Sequence, residues 1–77
     1  MNKWQVAHEI GTRLACIDPT PGVLKLLNAA RAHSPVIEER VKFAIRNLSP
    51  GVDPGPEVMG LLAQLTGDDG TRPAEVS

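Results

Sequence analysis

Three proline-containing breaks divide this chain into four short segments, and each segment carries apolar residues at helical spacing. The breaks lie at 18–21, 34–35 and 49–56. A proline forces the residue before it out of the helical conformation, so helices end at such positions. Between the breaks, apolar residues recur at steps of three and four, which is the period of one face of a helix. No segment alternates with period two for long enough to predict a strand.

The breaks also contain signals that start helices. Thr20–Pro21 predicts a helix whose N-cap is threonine and whose first residue is proline. Ser34–Pro35 repeats that signal, and either Asp53–Pro54 or Gly55–Pro56 starts a further helix. The sequence therefore predicts four helices, near 3–16, 20–32, 35–48 and 56–66.

The apolar stripes predict one small core, as expected for 77 residues. Ile17 extends the stripe of the first helix, and Cys16 beside it is predicted to be a small buried hydrophobe. From Gly67 onward the apolar content collapses, which predicts a domain over 1–66 and a disordered tail over 67–77. The residues predicted to be buried are Ile10, Leu14, Leu27, Val41, Ile45, Leu48, Leu61 and Leu62.

Composition narrows the class of protein. A hydrophobic content of 42% suits a globular chain and is too high for a disordered one. The single cysteine excludes an internal disulfide and suits a reducing cytoplasm. No apolar run approaches the roughly 20 residues of a membrane span, and the N-terminal residues lack the apolar region of a secretory signal. We therefore expect a cytoplasmic protein with no membrane partner.

Charge is divided unevenly along the chain. Residues 1–50 carry seven basic and four acidic groups, a net charge of +3, whereas residues 51–77 carry one basic and five acidic groups, a net charge of −4. Such a division is typical of a basic binding face beside an acidic tail, and it also arises from ordinary solvated surface. Dedicated DNA-binding domains are usually strongly basic, and this chain has a pI near 6.0.

The stretch 26–48 reads LLNAARAHSPVIEERVKFAIRNL. Its asparagine, serine and E-R-V-x-x-A-I-x-x-L spacing resemble the helix-turn-helix domain of the lactose-repressor family. The resemblance extends over about 5–48, where Val6–Gly11 is similar to the family's first helix. It implies an all-α, compact four-helix, helix-turn-helix-like domain that acts in transcription. An equally simple interpretation is that the E-R-V stretch is a good amphipathic helix of any origin.

In that family the second helix enters the major groove of DNA. The resemblance implies that the DNA-reading residues would be Thr20, Lys25 and Asn28, together with Pro21. About six extra residues precede this helix, and Pro21–Gly22 replaces polar side chains that would bond to bases. These departures favour a helix-turn-helix-like core with another use, and DNA binding is the alternative.

Residues with catalytic or metal-binding chemistry are few. His8, Cys16 and His33 match no zinc-ligand spacing, and no glycine-rich phosphate loop or nucleophile elbow is present in the sequence. His33 is predicted to be a surface or helix-terminal residue. The sequence therefore predicts no enzyme, no metal and no cofactor.

Trp4 is the best candidate for a partner contact, because tryptophan is enriched at interface hot spots. Lys3 and Gln5 would form its polar rim, and Lys42 and Arg46 would support the contact. The alternative is that Trp4 closes the core. The resulting hypothesis is a non-enzymatic regulator that binds RNA polymerase or an associated factor, similar in size and style to small bacteriophage regulators of host RNA polymerase. The oligomeric state stays open, since the fourth helix could pair with a second copy or cover its own core.

Two of the predicted helices begin with similar sequences, an internal similarity that we call the echo. Residues 18–27 and 53–62 are identical at six of ten positions, at an offset of 35. A duplicated helical hairpin would produce this echo, and so would two helices that share a good capping solution.

Overall fold

The computed structural model describes residues 2–67, and these residues form four helices and no strand. The helices are α1 (Lys3–Ile17), α2 (Pro21–Arg31), α3 (Ile37–Arg46) and α4 (Gly55–Thr66). The predicted all-α, four-helix architecture is thereby confirmed. The predicted tail, apart from Gly67, lies outside the described residues. Within 2–67, no helix combines the length and the apolar character that a membrane span would require.

Helix α2 begins where the sequence predicted. The Thr20 hydroxyl accepts a hydrogen bond from the Val23 backbone N–H at 3.2 Å, and Pro21 is the first helical residue. This satisfies one of the N–H groups that every helix start leaves without a partner. Helix α4 begins at Gly55, preceded by a turn in which the Asp53 carboxylate accepts from the Gly55 N–H at 2.9 Å.

Helix α3 is shorter than predicted at both ends. It begins at Ile37, because Ser34 and Pro35 belong to a turn in which the Ser34 hydroxyl accepts from the Val36 N–H at 3.4 Å. Ser34 therefore does not cap α3, and the N-cap position falls on Val36. At the other end, the helix stops at Arg46, and the Asn47 side chain donates to the Phe43 carbonyl at 2.8 Å. The Asn47 backbone N–H donates to the same carbonyl at 3.0 Å, so Asn47 closes the helix through both its backbone and its side chain.

The core is centred on α1, which packs against each of the other three helices. Three of the eight residues predicted to be buried, Ile10, Leu14 and Val41, are fully enclosed. The remaining core is Val6, Ala7, Val23, Leu26, Ala30, Ile37, Ala44 and Val58.

Five residues predicted to be buried are only half-buried, although they pack against the core. They lie at the margins of the apolar stripes, where a domain this small has no second layer to cover them. These residues are Leu27, Ile45, Leu48, Leu61 and Leu62. One further prediction was wrong, because Cys16 is exposed. Ile17 beside it, the last residue of the apolar stripe of α1, is 46% exposed.

The Leu27 side chain of α2 packs directly on Gly11, a buried glycine of α1. A Cβ atom at Gly11 would lie 2.7 Å from the Leu27 Cδ2 atom, which is shorter than van der Waals contact. A three-residue turn, Asp18–Thr20, joins the two helices. The Asp18 carboxylate also accepts from the Ser49 backbone N–H at 2.5 Å and from its hydroxyl at 3.2 Å, so it ties this turn to the segment after α3.

Candidate functional site

A capping box sets the position of the N-terminal residues. The Asn2 side chain accepts from the Gln5 N–H at 2.9 Å, and the Gln5 side chain accepts from the Asn2 N–H at 2.9 Å. This reciprocal pair satisfies two N–H groups at the helix start. Gln5, predicted as part of a polar rim, is thus engaged in the cap, and the box holds Lys3 and Trp4 in the first helical turn.

Trp4 is half-buried. It is therefore neither a fully exposed contact residue nor a fully enclosed core residue, the two alternatives that the sequence left open. Its ring packs against the core and stacks on the His33 ring, with centroids 5.2 Å apart and planes inclined by 25°. The Lys3 ammonium lies 5.3 Å from the Trp4 ring centroid, within the range of a cation–π interaction. Trp4 is therefore held in one orientation by a neighbour on its own helix and by a residue 29 positions away.

His33 owes its position to the way in which α2 ends. Its φ angle is +54°, in the left-handed region, and it is the only residue other than glycine with a positive φ among those described. The His33 N–H donates to Ala30 and the Ser34 N–H donates to Ala29, which is the Schellman pattern at a helix C-terminus. His33 is exposed, as predicted. Glycine usually occupies this position, whereas here histidine supplies a ring that reaches Trp4.

This geometry predicts that His33→Gly will be more stable than His33→Ala by about 1 kcal/mol, because glycine adopts the left-handed conformation without a Cβ penalty. Both variants lose the stack on Trp4, worth about 0.5–1.5 kcal/mol. Urea denaturation followed by the fluorescence of Trp4, the chain's single tryptophan, measures the difference. As a control, Ala32→Gly should lose stability, since Ala32 has a right-handed φ of −81°. Equal stability of the two His33 variants would contradict the prediction.

Trp4 and His33 lie in the wall of an open groove between α1 and α2, about 820 Å³ in volume. His8, Thr12 and Cys16 follow Trp4 at steps of four along α1, and Asn28 and Arg31 contribute from α2. His8 and Cys16 are about 12 Å apart along the helix at 1.5 Å per residue, too far to act on one atom. The groove therefore has an aromatic end and a wall in which polar residues stand beside Ala15, Leu27 and Ala30, which suits binding more than nucleophilic chemistry.

The other predicted contact residues lie on a separate surface. Lys42 and Arg46 are exposed on α3, where they line a shallow groove with Val36, Glu39, Arg40 and Phe43. This groove shares no lining residue with the groove at Trp4. The structure thus divides the five predicted contact residues into two surfaces.

The residues of the DNA-binding alternative lie on α2. Lys25 and Asn28 are exposed on its outer side, and Asn28 also lines the α1–α2 groove. The Thr20 hydroxyl is occupied as a hydrogen-bond acceptor in the cap. The most exposed large apolar residue of the described chain, Leu24 at 60%, lies beside Lys25. This side of α2 offers two polar side chains that could reach a base.

One interaction that the sequence did not predict links α1 to α4. The Arg13 guanidinium donates to the carboxylate of Glu9 and, at 3.4 Å, to that of Glu57. These hydrogen bonds raise the pKa of Arg13 above its usual value, and the bond to Glu9 contributes more than the bond to Glu57. Only the spacing of Glu9 and Arg13, one helical turn apart, could have signalled the pair. These groups are well exposed, so the links add little to stability.

No family model, curated protein or solved structure matches this chain. Within 2–67, no group of three or more histidine, cysteine, aspartate or glutamate residues is placed to hold a metal ion. The candidate binding surfaces of the described residues are therefore the two grooves and the exposed residues of α2.

Proposed function

We propose that this chain is a non-enzymatic regulator of transcription that acts by binding another protein, RNA polymerase or a factor associated with it. The proposal combines the resemblance to the lactose-repressor helix-turn-helix, which covers α1 to α3, with the surface around Trp4. The extra residues after Gly11 lengthen α1 as far as Ile17, and the turn of three residues that remains before α2 has the length of a helix-turn-helix turn.

The observation that supports the proposal most strongly is that the Trp4 ring is partly exposed and yet fixed in one orientation. It is held by the core, by the His33 stack and by Lys3. Tryptophan is enriched at the hot spots of protein interfaces. An anchor that is already ordered loses little conformational entropy when a partner binds. A groove with both apolar and polar lining begins beside it, which provides the mixed surface that non-obligate interfaces share.

DNA binding by α2 is the second candidate, and the exposure of Lys25 and Asn28 favours it. The charge of the described residues argues against it. Seven basic and six acidic groups leave them at +1, and Arg13 is paired with two carboxylates. Phosphate contacts supply most of the non-specific affinity for DNA, so a nearly neutral domain whose reading helix carries two cations, Lys25 and Arg31, would bind weakly.

We expect the full chain to bind purified bacterial RNA polymerase with an affinity that changes little between low and moderate salt. A mixed apolar interface depends weakly on salt, whereas binding through several phosphates weakens steeply. Biolayer interferometry with polymerase and, separately, with a pool of DNA duplexes measures both. Submicromolar binding to a specific duplex, lost in Lys25→Ala, would replace the proposal with the DNA-binding alternative.

A further inference from the structure

The outer side of α3 carries exposed apolar and basic residues side by side. Val36 is 42% exposed and Phe43 is 37% exposed, although both are large apolar residues. They line a groove of about 470 Å³, which we call the α3 face and which consists of Val36, Glu39, Arg40, Lys42, Phe43 and Arg46. The solvent-facing side of an amphipathic helix usually carries polar and charged residues, so two large apolar side chains there are unusual.

The charge of the α3 face is positive and unpaired. Three of its residues are cations and one, Glu39, is an anion. The ion pairs found within 2–67 all involve Arg13, so none of them neutralises Arg40, Lys42 or Arg46. A surface on which exposed apolar residues alternate with cations has its complement in an acidic surface with apolar anchors.

The backbone beneath this face is rigid. Ile37, Val41 and Ala44, on the opposite side of α3, are fully buried in the core. The helix is therefore held by its inner side while its outer side stays open. Residues 36, 39, 40 and 43 are spaced at three and four, so they form a continuous strip along the helix, as helix-in-groove recognition requires.

We infer that the α3 face docks an acidic amphipathic segment of another protein, with apolar side chains of that segment against Val36 and Phe43 and carboxylates beside Arg40, Lys42 and Arg46. The exposed apolar side chains of Val36 and Phe43 have counterparts in an amphipathic peptide and none in a phosphate backbone, so a peptide is the favoured occupant. This inference goes beyond the proposed contact at Trp4, since the two surfaces share no lining residue. Docking on the α3 face is therefore independent of whether Trp4 contacts RNA polymerase.

The probe is a fluorescein-labelled synthetic helical peptide with leucines spaced at three and four and glutamates elsewhere. Fluorescence polarisation with the full chain should show saturable binding. Lys42→Glu should weaken it at least about tenfold, by charge repulsion across the interface. The matched control is Lys25→Glu, which makes the same change at an exposed position of α2 and should alter the affinity less than about twofold.

A second pair of variants tests the apolar part. Phe43→Ala should weaken peptide binding, whereas Leu24→Ala, at a more exposed apolar residue outside this face, should not. Thermal melting by circular dichroism verifies that each variant is folded at the binding temperature.

Three results would overturn the inference. The first is equal binding of a peptide in which every glutamate is replaced by glutamine. The second is tighter binding of a single-stranded oligonucleotide than of the peptide. The third is a dimer in sedimentation equilibrium that Phe43→Ala dissociates, which would make a second copy of the chain the occupant.

Discussion

Ile10→Ala should lower the free energy of unfolding by about 2–5 kcal/mol. Ile10 is fully buried at the middle of α1, the helix that packs against all three others. The loss combines the transfer free energy of the deleted methyl groups with the cavity that rigid neighbours leave. A chain of this size has a total stability of about 4–12 kcal/mol, so the variant would be largely unfolded if the protein lies at the lower end of that range.

The chain provides its own control for this experiment. Ile17→Ala makes the same change in the same helix at a residue that is 46% exposed, and its loss should stay below about 1 kcal/mol. Urea denaturation followed by circular dichroism at 222 nm measures both variants under one set of conditions. Similar losses for the two variants would show that Ile10 does not lie in a close-packed centre.

The sequence predicted the number and order of the helices because proline breaks and apolar spacing are local signals. It failed where the outcome depends on tertiary contacts. The start of α3 was misplaced because His33, instead of glycine, adopts the left-handed conformation that closes α2. The turn that follows then uses Ser34 and Pro35, which the sequence had assigned to the next helix.

The two helices that share the repeated sequence, α2 and α4, also show that local sequence does not determine burial. Leu26 in α2 and Leu61 in α4 occupy equivalent positions of the echo, yet Leu26 is fully buried and Leu61 is half-buried. The reason is position: α2 packs on both α1 and α3, whereas α4 packs mainly on α1 and only marginally on α3. Similar sequences thus start similar helices, and the neighbours decide how much of each is covered.

The candidate site was predicted in part. The sequence singled out Trp4 from its chemistry, and Lys42 and Arg46 from their charge, but spacing along the chain gives no distance between α1 and α3. The stack of His33 on Trp4 joins residues 29 positions apart, so only the packing of α2 against α1 creates it. Cys16 was placed inside because an isoleucine follows it, although the end of α1 leaves both residues exposed.

Trp4→Ala should weaken binding to RNA polymerase more than tenfold, or by about 1.4 kcal/mol, while most of the helical content is retained. Truncation removes the aromatic anchor and leaves its site in the partner unfilled. Because Trp4 also packs against the core, we expect a lower melting temperature as well. Binding is therefore measured by biolayer interferometry at a temperature where circular dichroism shows the variant to be folded.

Lys3→Glu tests partner binding without a large change in folding stability, because Lys3 is exposed and lies outside the core. The variant loses the cation–π interaction with Trp4, but an acidic side chain in the first turn of α1 interacts favourably with the positive end of the helix. The two effects are of similar size, so this variant should fold about as well as the natural chain. It nevertheless reverses the charge beside the Trp4 ring, and binding should weaken several-fold. If Trp4→Ala unfolds the chain and Lys3→Glu binds like the natural protein, Trp4 is only a core residue and the partner contact lies elsewhere.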